Sequence, residues 1–212
     1  IFFSERYIEN ELQLPVDLME NIGVCFTYFP HSQIYDNLKS IIEELLPSNA
    51  ALAIDLFSPI IGYASEQITK DLDSLLEILV QGFSSEDSLI IDSCSTVVQM
   101  MDGNTQLISK CFDSLFPIIL PLLTSSESDI RTDAFDDLST LFLITDIKND
   151  ISIITELWGF KENINPDDYS IYFNLFGNAI ACSEQLDDSQ VNEILGSLHP
   201  MLEDFSNPDL TS

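Results

Sequence analysis

The residues of this 212-residue chain able to do chemistry are few in kind: two histidines, four cysteines and 36 carboxylates. His31 and His199 each stand beside a proline near the end of a helical stretch, a placement that reads as structural or solvent-exposed. There is no H-E-x-x-H, no serine on a nucleophile elbow with a His–Asp pair to serve it, and no Gly-rich phosphate loop. The runs "DAFDDL" (133–138) and "NPDD" (165–168) hold carboxylates but lack the glycine and ligand spacing of a calcium loop. With 36 acids, close pairs arise without any catalytic purpose. Cys25, Cys94, Cys111 and Cys182 are far apart, form no C-x-x-C, and sit within apolar helical patterns. That spacing suits neither zinc nor a disulfide framework, so buried, reduced thiols of an intracellular protein are expected. No enzyme, no cofactor and no metal is expected.

The charge balance narrows the partners. Seven Lys+Arg against 36 Asp+Glu leave a net charge of −29, yet 45 % of the residues are hydrophobic. Disorder needs low hydrophobicity together with high charge, so the chain reads as folded with an acidic surface. Nucleic acid and anionic membrane are disfavoured, because binding phosphate takes Lys and Arg to displace counterions. No small-molecule substrate is indicated. Proteins with basic segments are favoured, with fast electrostatic steering. No run of 18 apolar residues marks a membrane span. The opening "IFFSERYIEN" has no Met, basic n-region or cleavage site, so a segment of a longer chain is expected.

The elements that must carry these residues are helices, because apolar residues recur at i, i+3, i+4 and i+7 and strand alternation is missing. They come in pairs, a first helix A, a polar turn and a second helix B. The turns are "LPSNA" (46–50), "SSEDS" (84–88), "SSESD" (125–129), "NINPDD" (163–168) and "SNPD" (206–209), whose Ser, Asn and Asp suit both turn and N-cap. The pattern predicts A helices over 33–46, 70–83, 106–124, 149–160 and 189–204. B helices are predicted over 15–29, 50–65, 88–101, 129–144 and 168–183, with 1–11 ending an earlier helix A. Pro59 should kink the second B helix or end it early, by removing a donor and crowding the preceding turn. Trp158, the sole tryptophan, is expected in core or inter-repeat packing.

Aligned by their starts, the B helices put Glu20, Asp55, Asp92 and Asp133 in register at spacings of 35, 37 and 41, with Phe173 a further 40 on. Helix pairs at a period near 40 mark an α-solenoid of HEAT or armadillo type. One copy carries the family motif. "FPIILPLLTSSESDIRTDAFDDLSTLF" (116–142) resembles the HEAT repeat, with Pro121, Leu122, Leu123, Ile130, Arg131, Ala134, Leu138 and Leu141 in its places. "LHPMLEDFSNPDL" (198–210) repeats the first half, with Pro200 as the helix A proline. Arg131 has no counterpart in the other copies, and the turn position whose aspartate usually pairs with it holds Ser125 or Ser126. No Asp–Arg ladder between repeats is therefore expected. The fold expected is all-α, a single HEAT-like segment over 1–212. Its repeats run about 33–65, 70–101, 106–144 and 149–183, with a lone B helix at 15–29 and a partial repeat at 189–212. Further repeats are expected on each side, since each pair buries one stripe against its neighbours.

Rotating each B helix by about 100° per residue separates core from outward positions. The stripes are Leu18, Ile22, Cys25 and Phe29; Ala53, Phe57, Ile60 and Ala64; Ile90, Cys94, Val97 and Met101; and Ile130, Ala134, Leu138 and Leu141. In the last, Phe173, Phe176 and Ile180 are core. Outward fall Glu20, Asp55, Asp92 with Ser95 and Gln99, then Thr132, Asp136 and Ser139, and finally Asn174 and Asn178. Lys39, Lys70, Lys110, Lys148 and Lys161 lie on or beside A helices, and only Arg131 lies on a B helix. In HEAT-like solenoids the B helices line the concave side, which implies an acidic groove at Glu20, Asp55, Asp92 and Asp136, with Gln99, Asn174 and Asn178 as its polar part. Two readings stay open: acids that merely solubilise an apolar rod, or a groove for a basic segment.

Strong acidity with irregular repeats resembles the importin-β (karyopherin-β) family. That resemblance implies a nuclear transport receptor, cytoplasmic and nuclear, that carries basic cargo, binds the small GTPase Ran and touches phenylalanine–glycine nucleoporins. The alternatives are a non-transport scaffold, such as a phosphatase scaffolding subunit or a chromosome- or ribosome-assembly factor, and a helical region of a larger enzyme.

Overall fold

The computed structural model describes residues 16–143 and 150–181 with the isolated positions 189, 192 and 196, and only the backbone of 16–20, 65, 150 and 151. The expected segment 1–11, Lys148, Cys182, His199 and nearly all of the partial repeat 189–212 lie outside the described residues.

All regular structure among the described residues is helical. The helices are α1 (Val16–Tyr28), α2 (His31–Leu45), α3 (Ala50–Asp55), α4 (Phe57–Tyr63), α5 (Ser65–Ile68), α6 (Leu72–Phe83), α7 (Ser88–Gln99), α8 (Thr105–Ile119), α9 (Ser128–Leu141), α10 (Asp150–Gly159) and α11 (Tyr169–Ala181). Short 3-10 turns cover Leu120–Thr124, Phe160–Asn163 and Pro166–Asp168.

The polar turns do what their composition implies at the starts of α3, α7 and α8. Asn49 Oδ1 accepts from Leu52 N at 3.2 Å, Asp87 Oδ1 from Leu89 N at 3.0 Å, and Asn104 Oδ1 from Leu107 N at 3.1 Å. Each such cap satisfies one of the orphan donors at a helix start, for about 1 kcal/mol. Helices α2, α4 and α6 start without a side-chain cap bond, and so does α9. Its N-cap is Glu127 without a side-chain cap bond, and Asp129 stands inside the first turn, where a negative charge complements the helix dipole.

Pro59 breaks the predicted 50–65 helix into α3 and α4 at Leu56. The proline ring would crowd the carbonyl four residues back, that of Asp55, which is where α3 ends. Pro117 is carried inside α8, and the chain tightens into a 3-10 turn at Leu120 around Pro121. The stretch Thr105–Thr124 is long and apolar enough to cross a membrane, but half of it is buried inside the fold, as in a core helix.

The first and second helix of each pair pack together: α2 on α3, α6 on α7, α8 on α9 and α10 on α11. Second helices also meet their neighbours in the next pair, α1 on α4, α3 on α7, α7 on α9 and α9 on α11, and α6 meets α8. The core runs along these contacts. Ile130, Ala134, Leu138 and Leu141 are all buried as expected, as are Ala53, Phe57, Ile60 and Ala64. Each large side chain so buried contributes about 1.5–3 kcal/mol.

Three expected faces need correcting. In α1 Phe26 is buried, while Cys25 and Phe29 are exposed and Ile22 is half-buried; the side chain of Leu18 is outside the described ones. Phe26 stacks on Tyr63 with centroids 5.7 Å apart, and Gly23 admits that tyrosine, since a Cβ there would sit 2.7 Å from its hydroxyl. In α7, Ser95 is buried rather than outward, Asp92 is half-buried and Ile90 only partly covered. In α3, Asp55 is 8 % exposed, not outward. The errors in α3 and α7 have one cause. Helix α7 is covered by α3, α6 and α9, and α3 by α2 and α7, so the buried arc is wider than a single stripe. In α11, Phe176 is buried and Phe173 and Ile180 are half-buried against the core.

Candidate functional site

Of the four acids expected to share one face, the structure brings together two and adds others. Asp92 on α7 and Asp136 on α9 both act electrostatically on Asp133, which was in register by sequence but not among the expected outward acids. Asp133 is half-buried on α9. Burial first, then the charges of Asp92, Asp136 and Asp129, hold its carboxyl above the usual carboxylate range. Asp136 and Gln99 are exposed, and Asn174 and Asn178 are exposed on α11. Asp55 does not join this face: buried on α3, it acts on the Cys94 thiol from the interior. Glu20 lies on α1, and its side chain is outside the description.

Beneath the exposed acids lies a polar contact that the sequence pattern missed. Ser95 Oγ donates to Asp137 Oδ1 at 2.8 Å across α7 and α9, and Gln99 Nε2 donates to Ser95 Oγ at 3.0 Å. Asp137 has no exposed surface, and its Oδ2 has no hydrogen-bond partner. Burial pushes its carboxyl up to about 8, with Asp133 and Asp136 adding to the rise and Ser95 and Gln99 opposing it. The available signal was the i, i+4 pair Asp133–Asp137, which puts one acid a turn below the other.

Two further carboxylates tie helix pairs together. Arg131 Nε meets Asp168 Oδ2 at 2.7 Å, and its Nη1 donates to the Ser125 carbonyl at 3.0 Å. The arginine thus finds its acid in the following turn, a single Arg–Asp bridge between pairs among the described residues. Asp71, ahead of α6, accepts from the Tyr35 hydroxyl and from Lys39 Nζ at 2.9 Å on α2. The Tyr35 bond, then the Lys39 bond, hold its carboxyl below the usual range.

The thiols sort by environment. Cys94 and Cys111 are buried, and burial raises both, Cys111 to about 12, so neither is a thiolate near neutral pH. Cys25, expected buried, is exposed. Trp158 packs on Phe176 with centroids 4.8 Å apart, within its own pair, and Lys161 Nζ stands 4.1 Å over its ring. His31 is exposed at the start of α2, with its ring edge-on to Phe26. Among the described residues no group of three His, Cys, Asp or Glu could hold a metal ion. An apolar groove of about 330 Å³ between α1 and α2 is lined by Ile22, Phe29, Ile34 and Leu38, with Cys25, Gln33 and Asn37 beside them.

No family model matches the chain, and no curated protein and no solved structure matches it.

Proposed function

We propose that the chain is part of a HEAT-like α-solenoid that works as a protein-binding scaffold and takes a basic partner along α7 and α9. Packing of each helix pair on its neighbours in sequence supports the solenoid. The observation that carries the binding role is the carboxylate cluster around Asp133: a half-buried acid whose acting charges are three more carboxylates gains from an incoming cation.

The particular form implied by the sequence resemblance is an importin-β-like transport receptor for basic cargo or Ran. The test is a pull-down with Ran loaded with GTP or GDP beside a basic localisation peptide. Peptide captured at low salt and released by Ran-GTP supports the transport form. Peptide captured with no response to either Ran state leaves a non-transport scaffold, and a peptide that the Asp92→Lys/Asp136→Lys variant binds as well as the original chain sinks the acidic face.

A further inference from the structure

The contact between α7 and α9 joins two successive helix pairs, and at its centre is a carboxyl group that the acidic face does not use. Asp137 is fully enclosed, one oxygen takes the Ser95 hydroxyl at 2.8 Å, and the other has no partner. The groups acting on it from α7 are Ser95 and Gln99, with the neutral thiol of Cys94 within reach of its charge. From its own helix come Asp133 and Asp136, both of the wrong sign. The strongest influences on it thus come from α7 and from α9 itself, and Arg131, also on α9, is engaged by Asp168 and Ser125.

A carboxylate in such a place has only the neutral Ser95 and Gln99 side chains and no cation to offset its desolvation, whereas a protonated carboxyl carries no charge to desolvate. If the proton leaves, the group gains most by reaching water, which a parting of α7 and α9 would admit. We propose that this joint is a proton-controlled latch, closed while Asp137 is protonated and loosened when it ionises. The Ser95–Gln99 pair serves both states: it orients the carboxyl in the closed joint and softens the first cost of ionisation. Acidification then stiffens the middle of the stack, and alkaline conditions free its two halves to move against each other.

The sign follows from proton counting. With the carboxyl pushed up to about 8 in the closed joint and at its ordinary value of 3.8 once exposed, opening releases a proton throughout the window between. The opening constant of α7 and α9 amides, corrected for base-catalysed exchange, should rise about tenfold per pH unit between pH 5 and 7 and level off above about 8. Amides of α2 should show no such rise. In Asp137→Asn, which keeps an oxygen for Ser95 and cannot ionise, the slope should vanish. A flat profile in the unaltered chain, or the same slope in the asparagine variant, overturns the latch. Should the variant fail to fold, carbon NMR of the Asp137 carboxyl in the unaltered chain decides: titration above about pH 6.5 upholds the proposal, and titration near pH 4 ends it. Neither readout uses a partner, so loss of the latch and loss of the basic-partner reading are separate results.

Discussion

Arg131 on α9 holds Asp168, in the turn that leads into α11, at 2.7 Å, with both side chains mostly covered. The same guanidinium reaches back to the Ser125 carbonyl, so one planar fork fixes its own turn and the next one together. Removing one partner of a covered ion pair strands the other. Arg131→Ala should lower the unfolding free energy by about 3 kcal/mol. Arg131→Lys should recover less than half of it, because an ammonium cannot span both acceptors. Urea unfolding of the two variants checks this; a lysine variant as stable as the original chain would mean that charge alone matters there.

The helix positions were legible where a turn carries its own punctuation: Asn49, Asp87 and Asn104 cap the helices that follow them, and Pro59 breaks the chain where its ring would meet the Asp55 carbonyl. The candidate face was only half legible. A 100° wheel describes a helix with one dry side, which suits α9, whose Ile130, Ala134, Leu138 and Leu141 are all buried. It fails for α3 and α7, which are covered on several sides, so that Asp55 and Ser95 turned out enclosed. Arg131 stood out by sequence, but its acid sits 37 positions away, beyond what local spacing can specify. Asp137 was hidden for the opposite reason: in "DAFDDL" it looked like one more surface acid.

Gly82 lets α6 and α7 approach closely. A Cβ there would fall 2.2 Å from Cys94 Sγ, and the sulfur is fully buried with nowhere to retreat. Gly82→Ala should therefore destabilise by about 1–3 kcal/mol despite alanine's better helix propensity. Cys94→Ala removes the opposing atom, so the double variant should be more stable than the sum of the single effects allows. Additive losses in thermal unfolding would show that the two positions do not share the strain.

Thiol reactivity should follow burial. In a Cys182→Ser background, native protein at neutral pH should label quickly at Cys25 alone. Cys94 and Cys111 should label only at the rate of opening, at least about a hundredfold slower, and all three together in denaturant. Mass spectrometry of labelled peptides reads the order; fast native labelling of Cys94 would contradict the packing of α6 on α7.

Asp71 and Asp137 should respond to pH with opposite signs. Asp71 is held below its ordinary value of 3.8 by Tyr35 first and Lys39 second, so its folded form binds fewer protons than the unfolded chain. That contribution is present above about pH 4 and fades as pH falls through the lowered value. Asp137 does the reverse, costing nothing in acid and progressively more up to about pH 8. The Asp71 side chain is 36 % exposed and that of Lys39 39 %, so solvent screens the ion pair. Lys39→Met should accordingly cost well under 1 kcal/mol. The Tyr35 bond belongs to a buried ring, and Tyr35→Phe should cost about 1 kcal/mol at pH 7. At pH 3 the Tyr35→Phe penalty should shrink, because the unaltered chain is then losing part of the same interaction. Urea midpoints for both variants at pH 3, 5 and 7 test the order, and a Lys39 loss larger than the Tyr35 loss at pH 7 would show that the ion pair, not the hydroxyl, ties α2 to the start of α6.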